Sequence, residues 1–209
     1  MLKHYRLKID LSRVTVITFL ILIVLNATTL FAKGDPDDIK KLQETADKGN
    51  SEAQYKLGYM YFDGNGVKQN RQEAMRLFKN AADQGHAKSQ YELGVMYERG
   101  EGIPKDYKEA LRWYRKAADQ NLAPAQFNMG VMYRRGNGVQ QDYQEAVKWY
   151  QKAVVQDFAP AQFNLGVMYV NGWGVSKNRE EGIKWLRKAA DKGLSEAIAA
   201  LRQLGVPLR

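Results

Sequence analysis

The sequence predicts an all-α fold, an α/α solenoid of tandem 36-residue helix-turn-helix repeats. The first observation is a set of glycines spaced by 36 residues, Gly58, Gly94, Gly130 and Gly166. The second is that apolar residues in each unit follow the spacing of helices. The third is a helix-start signature that recurs at the same step. Registration over four units predicts four full repeats, at about 50–85, 86–121, 122–157 and 158–193.

The first helix of each unit is predicted at about 51–63, 87–99, 123–135 and 159–171. In the first unit Ala53, Leu57 and Tyr61 fall on one face, which is the pattern of a buried stripe. Gly58 lies beside this stripe, and its lack of a side chain would let a neighbouring helix approach closely. Gly64 lies where the helix should end, at a position that favours a left-handed backbone.

The second helix of each unit begins at a predicted capping box: Asn70–Glu73, Asp106–Glu109, Asp142–Glu145 and Asn178–Glu181. The Asn or Asp side chain should accept from the third amide of the helix, and the Glu should reach back to the cap. The chain ends match half-units, a second helix at 37–49 and a first helix at 194–205. Terminal half-units cap a stack that would otherwise expose an apolar face.

The unit A-x-Y/F-x-L/M-G-x-M-Y…G-x-G-V/I…D/N-x-x-E-A…W/F-Y/F-x-K-A-A resembles the Sel-one-like repeat of the tetratricopeptide-like superfamily. The match covers about residues 37–205. This resemblance implies a right-handed α/α superhelix that acts as an adaptor or scaffold, in bacteria often exported for envelope regulation or host interaction. Some cysteine-rich relatives are described as penicillin-binding or β-lactamase-like, but this chain has no cysteine and departs from that branch.

The N-terminus predicts export. A basic stretch is followed by an apolar run at 14–25 and by small residues up to Ala32, which is the layout of a secretory signal. The alternative is an uncleaved anchor formed by residues 14–32, which is barely long enough to span a bilayer. In either case residues 33–209 form the repeat domain, periplasmic or secreted in the first case and membrane-tethered in the second.

Composition argues against several function classes. The formal net charge of +9 is partly due to the N-terminus, and no dense basic patch predicts a nucleic-acid partner. No cofactor motif is present, because the Gly100-x-Gly102 turn lacks the preceding strand and further residues of a nucleotide fingerprint. No metal site is predicted. His86 is a lone surface histidine by its spacing, and no serine begins the Ser-x-x-Lys motif of serine β-lactamases.

The candidate binding residues come from the positions of the first helix that vary between units. These positions lie opposite the recurring stripe, and in stacked helical pairs the first helices line the concave surface. The groove set is Glu92, Val95, Arg99, Asn128, Val131, Arg135, Asn164 and Val167. The asparagines could bond a peptide backbone and the arginines could hold a carboxylate. The alternative is that these are solvated helix faces.

Two further features leave alternatives open. Trp173 lies in the middle of a glycine turn and either contacts a partner or folds back on its own helices. Lysines and arginines beside the repeated tryptophans form a basic strip, which either touches an anionic surface or is an ordinary solvated face. The sequence thus predicts an exported scaffold that binds a protein or peptide partner in its groove. The alternative is a β-lactamase-like or other cell-wall hydrolase.

Overall fold

The computed structural model describes residues 35–208, which form helices and turns without a β-strand. The helices are α1 (Pro36–Asp47), α2 (Ser51–Asp63), α3 (Arg71–Asp83), α4 (Ala87–Arg99), α5 (Tyr107–Asp119), α6 (Ala123–Arg135), α7 (Tyr143–Val155), α8 (Ala159–Asn171), α9 (Arg179–Asp191) and α10 (Ser195–Gln203). The all-α repeat fold predicted from the sequence is confirmed. The predicted export segment 1–32 lies outside the described residues, and within 35–208 no helix is long and apolar enough to cross a membrane.

The described chain divides into two compact units. The first unit comprises residues 35–125 with 137–139 and contains α1 to α5. The second comprises residues 126–136 and 140–208 and contains α7 to α10 with most of α6. Within each unit, helices that follow one another along the chain pack against each other.

The recurring helix glycine lies against a large side chain of the second helix of its repeat. A Cβ atom added at Gly58 would come within 2.7 Å of the Phe78 ring, and one at Gly130 within 2.5 Å of the Tyr150 ring. Both rings are buried, so neither has free space into which it could withdraw. The predicted packing reason for this glycine is therefore confirmed.

The two helices of the fourth repeat also approach each other closely, but different residues make the contact. Here Leu186 replaces the ring, and a second glycine, Gly182, faces Gly166 across the helix pair. A Cβ at Gly166 would lie 2.9 Å from the Gly182 carbonyl oxygen and 2.9 Å from Leu186 Cγ. In this repeat the two backbones therefore approach each other directly.

Of the two hydrogen bonds predicted for each capping box, one is confirmed. The side chains of Asn70, Asp106, Asp142 and Asn178 accept from the third amide of their helices at 2.9–3.1 Å. The predicted return contact from the Glu is wrong. The Asn70 N–H already donates to the Tyr61 carbonyl at 2.8 Å, and the Glu73 carboxylate instead accepts from Arg76 Nε at 2.9 Å. The other three caps also donate to the tyrosine carbonyl nine residues earlier.

The two-glycine turn between the helices is structural, as predicted. Gly100 and Gly102 have φ angles of 74° and 78°, in the left-handed region that favours glycine. A Cβ at Gly102 would lie 2.9 Å from Arg71 Cβ, so the turn packs on the start of the second helix of the preceding repeat.

Buried glutamines tie three successive helices together, a feature that the sequence analysis did not predict. Gln90 in α4 donates from Nε2 to the Ala82 carbonyl of α3 at 3.1 Å. Its Oε1 accepts from Gln120 Nε2, at the end of α5, at 2.7 Å. Gln54 in α2 makes the equivalent pair of bonds. The amide therefore adds a second donor to a helix-end carbonyl that already accepts a backbone N–H, as the Ala82 carbonyl does from Gly85 at 3.0 Å.

Replacing Gly130 by alanine should destabilise the protein. Overpacking typically costs about 1–3 kcal/mol, and alanine returns at most about 1 kcal/mol of helix propensity. With the full propensity return, we expect a net loss of up to about 2 kcal/mol in the free energy of unfolding, measured by urea denaturation. Gln151→Gly at an exposed site of α7 measures the propensity contribution separately. A Gly130→Ala protein that is more stable than the wild type would contradict the contact.

Replacing Gln90 by methionine should also destabilise the protein. The change preserves the approximate volume but removes one of the two donors to the Ala82 carbonyl and the acceptor of the Gln120 amide. A typical intramolecular hydrogen bond contributes about 0.5–1.5 kcal/mol, so we expect a loss on the order of 1 kcal/mol in the free energy of unfolding, measured by urea denaturation. The matched control is Gln72→Met on the exposed face of α3. Equal effects at the two positions would refute the role of the amide.

Candidate functional site

The first-helix positions that vary between repeats stay partly accessible on two helices of the first unit, and they include the predicted binding residues Glu92, Val95 and Arg99. These positions are Glu52, Lys56, Tyr59 and Asp63 in α2, and Lys88, Glu92, Val95 and Arg99 in α4. We call these eight residues the α2–α4 face. The side chains of Glu52, Lys56 and Arg99 retain 49%, 38% and 37% exposure. Asp63 and Lys88 are also exposed, so charged groups of both signs are accessible here.

The equivalent positions of α6 and α8 are mostly closed. Val131, Val167 and Asn164 are 2%, 1% and 4% exposed, so the prediction that they line an open groove is wrong. Val131 packs in an apolar cluster with Tyr150, and Val167 packs in one with Phe163. A projection around one isolated helix misses these contacts, because helices packed on either side cover more of the circumference than the recurring stripe.

Asn164 has an internal partner. Its Nδ2 donates to the Tyr150 hydroxyl of α7 at 3.2 Å. Burial raises the pKa of Tyr150, although hydrogen bonds with Arg134 and Asn164 act in the opposite direction. The asparagine therefore joins α8 to α7, and its amide is not available to an extended peptide.

The remaining groove positions are partly covered. Val95, Asn128 and Arg135 are half-buried. Arg99 is exposed, and its Nη1 lies 3.6 Å from Glu101 in the following turn. Of the residues predicted from the sequence, those of α4 therefore lie together with α2 in the first unit, whereas Asn164 and Val167 belong to the interior of the second.

Trp173 folds back on its own unit. The indole is half-buried and stacks on the Tyr143 ring, with centroids 5.9 Å apart and planes inclined by 25°. Of the two alternatives for this residue, the structure therefore shows the contact with neighbouring helices.

A half-buried acid lies in the middle of the α2–α4 face. Burial raises the pKa of the Glu92 carboxyl to about 7, and Tyr59 and Arg99 act in the opposite direction. The Tyr59 ring meets Tyr55 edge-on, with centroids 5.0 Å apart. The sequence analysis named Glu92 but did not predict that it is half-buried; the available signal was the pair of tyrosines at 55 and 59, which occur together only in the first repeat.

Glu52, His86 and Ser89 come together, which the spacing did not predict. His86 Nδ1 lies 2.9 Å from Ser89 Oγ, and Nε2 lies 3.2 Å from Glu52 Oε2. Hydrolases use this residue combination, but Ser89 has 0% exposure and no route to a substrate. The Ser89 N–H also donates to His86 Nδ1, at 3.3 Å, so the histidine caps α4. Serine at a position that is alanine in the other repeats was the signal in the sequence.

Residues 35–208 contain no cluster of His, Asp or Glu able to hold a metal ion.

The basic strip beside the repeated tryptophans has an ordinary structural role. On the second helices, Arg112 and Lys148 each lie 2.9 Å from the glutamate three residues earlier. Lys152 lies over the Trp149 ring, 3.8 Å from its centroid. Many cations of the basic strip therefore already have partners on their own helix.

Comparison with known proteins agrees with the repeat geometry. The Sel1 repeat family matches residues 51–86, 87–122, 123–154 and 159–194. A protective antigen of uropathogenic Escherichia coli that displays an SLR fold is 41% identical over 80% of this chain and 35% of its own, with a TM-score of 0.76. A Sel1 repeat protein from Oxalobacter formigenes is 35% identical over 83% of this chain and 51% of its own, with a TM-score of 0.75.

The chain thus spans about a third to a half of the length of these two relatives. The Helicobacter pylori cysteine-rich protein B shares the fold at 23% identity and a TM-score of 0.50, over 65% of this chain and 98% of its own. No curated protein matches the chain in sequence. The four family matches together cover more than half of the residues. The chain therefore belongs to the Sel1 repeat family, whose members are α-helical scaffolds for protein–protein interaction and are generally not enzymes.

Proposed function

We propose that this protein is an exported adaptor that binds a segment of a partner protein, without chemistry, on the α2–α4 face. The observation that carries the proposal is the exposure of this face. Most of its charged side chains stay accessible, whereas the equivalent Asn164 and Val167 of α8 are buried. The accessible ones are Glu52, Lys56, Asp63, Lys88 and Arg99. A partner segment is more easily accommodated where the helix surface is open than where it is core.

The chemistry of the face favours a polar segment that carries both charges. Glu52 and Lys56 pair at 3.5 Å while both remain partly exposed, and Lys88 lies over the Tyr55 ring, 5.8 Å from its centroid. Exposed charges add little to stability but select partners and orient them. The half-buried Val95 supplies a shallow apolar contact between them.

The hydrolase alternative has no support in the described residues. The Glu52, His86 and Ser89 group has the residue types of a catalytic triad, but a fully buried hydroxyl cannot attack a bound substrate. We therefore propose that the protein acts by binding, as an adaptor.

We also propose that residues 1–32 direct the chain out of the cytosol. The support is the basic, apolar and small-residue layout of this segment. The similarity to a protein described as a protective antigen is consistent with an exported location.

The face can be tested by site-specific photo-crosslinking in the cells that produce the protein. Full-length protein with a photo-reactive residue at Lys88 should form a discrete partner adduct. The matched control at Lys116, exposed on α5 of the same unit, should not. The double substitution Lys88→Glu and Arg99→Glu should then lower the affinity for the captured partner about tenfold. The Tm should not change, because both side chains are exposed. Adducts at both positions, or unaltered affinity, would contradict the proposal.

Export can be tested by fractionating cells that express the full chain and sequencing the N-terminus of the recovered protein. A cleaved signal predicts soluble protein in the periplasm or medium that begins near Lys33. An intact N-terminus in the membrane fraction would support the anchor. Protein that remains in the cytosol with an intact N-terminus would refute export.

A further inference from the structure

A cleft lies in the second unit between α9, α10 and the tail at 204–208, and its volume is about 390 Å³. Three basic and two acidic side chains of α9 line it, together with a larger apolar set. The apolar set is Ile183, Ala190, Ile198, Leu201, Pro207 and Leu208. Binding pockets have this composition, mostly apolar with a few polar groups. The cleft belongs to the second unit and is separate from the α2–α4 face of the first.

The equivalent corner in the first unit is filled by the next second helix. Ala190 of the cleft corresponds to Ala82 of α3, three 36-residue steps earlier. Leu201 corresponds in the same way to Leu93 of α4. Ala82 and Leu93 pack in one buried apolar cluster with Trp113 of α5, whose side chain is only 1% exposed. The corner between a second helix and the following first helix is thus shaped to take an aromatic side chain from another helix.

The third repeat shows how much burial the following second helix supplies. Val147 of α7 is 4% exposed, in an apolar cluster against which Trp185 of α9 packs. Ile183, at the equivalent position one repeat later, is only half-buried. The tail fills part of this corner through Val206, but Leu208 stays 42% exposed. Within residues 35–208, the cleft therefore keeps an apolar surface that is only partly covered.

Ile198 makes the cleft more apolar than the equivalent places in the earlier repeats. The four preceding first helices carry glutamine at this position. In α4 this residue is Gln90, which accepts from Gln120 at the end of the next second helix at 2.7 Å. Isoleucine cannot make this hydrogen bond, so an occupant of the cleft needs an apolar side chain at this place rather than an amide.

Arg187 indicates the polar chemistry of the occupant. Its Nε is buried and has no hydrogen-bond acceptor within residues 35–208. The equivalent residue of the first repeat, Lys79, lies over the Trp113 ring of the next second helix, with Nζ 5.5 Å from the ring centroid. A guanidinium can stack on an aromatic ring in the same way while its N–H groups bond a carboxylate. An occupant with an aromatic residue beside an acidic one therefore matches this cation.

We propose that the cleft binds an amphipathic helix of a partner protein, which packs on α9 and α10 as the second helix of a further repeat would. An aromatic side chain of this helix packs against Ala190 and Leu201, and an acidic side chain meets Arg187. Helices bind in grooves through anchors spaced by three or four residues, which is also how the second helices of this protein pack on their neighbours.

An NMR titration of the full chain, with labelled isoleucine methyl groups, tests the cleft. The probe is a synthetic peptide of residues 142–157, which is the α7 segment with its N-cap. It carries Trp149 and has three acidic residues against two lysines. The methyl groups of Ile183 and Ile198 should shift, whereas that of Ile103, in a turn of the first unit, should not. Because a short helix is marginal in water, we expect a Kd on the order of 1 mM.

Matched changes in the peptide and in the protein show whether the cleft recognises the helix. A peptide with Trp149→Ala should bind about tenfold more weakly, because the anchor is lost. In the protein, Ile183→Glu should abolish the shift at Ile198, whereas Val155→Glu, at an 85% exposed position of α7, should preserve it. Leu208→Glu in the exposed tail replaces Ile183→Glu if that variant does not fold.

Three results would overturn the proposal. The first is the absence of shifts at both cleft isoleucines with the wild-type peptide. The second is equal binding of the two peptides, or binding that survives both cleft substitutions. The third is a shift at Ile183 and Ile198 that depends on protein concentration without peptide, which would assign the cleft to a second copy of this chain.

Discussion

The close contact between a glycine backbone and a large buried side chain determines how each repeat is built. At Gly58 and Gly130 the partner is an aromatic ring, and at Gly166 it is Leu186 with the backbone of Gly182. This contact fixes the distance between the two helices of a repeat. Buried glutamine amides can then reach a helix-end carbonyl on one side and another glutamine on the other. Packing and polar satisfaction are thus two results of the same spacing.

The distance between packed helices also determines which residues stay accessible to other molecules. Where neighbouring helices close over a first helix, as in α8, its varied positions become core, and polar residues there need internal partners. Asn164 has such a partner in Tyr150. Where the surface stays open, in α2 and α4, charges of both signs remain exposed. Variation at equivalent positions therefore yields an internal contact in one repeat and an accessible surface in another.

Much of the fold could be predicted because its determinants repeat in the sequence. Glycine spacing, N-caps such as Asn70 and left-handed helix ends such as Asn121 are local, and each recurs four times. The site was harder to predict, since the burial of Val131, Val167 and Asn164 depends on helices outside their own. The predicted hydrogen bond from Glu73 to the N-cap is absent for a similar reason, because the Asn70 N–H already donates to the carbonyl of Tyr61, nine residues earlier. His86 and Ser89 escaped notice because their Glu52 partner is 34 residues away from the histidine.

The most direct test of the central contact is the NMR chemical shift of the glycine α-protons. An aromatic ring in contact with a glycine backbone displaces these resonances through its ring current. The account predicts large displacements for Gly58, Gly94 and Gly130, which face Phe78, Tyr114 and Tyr150, and a small one for Gly166, which faces Leu186. Four glycines with similar, undisplaced α-proton shifts would contradict the packing on which the repeat geometry depends.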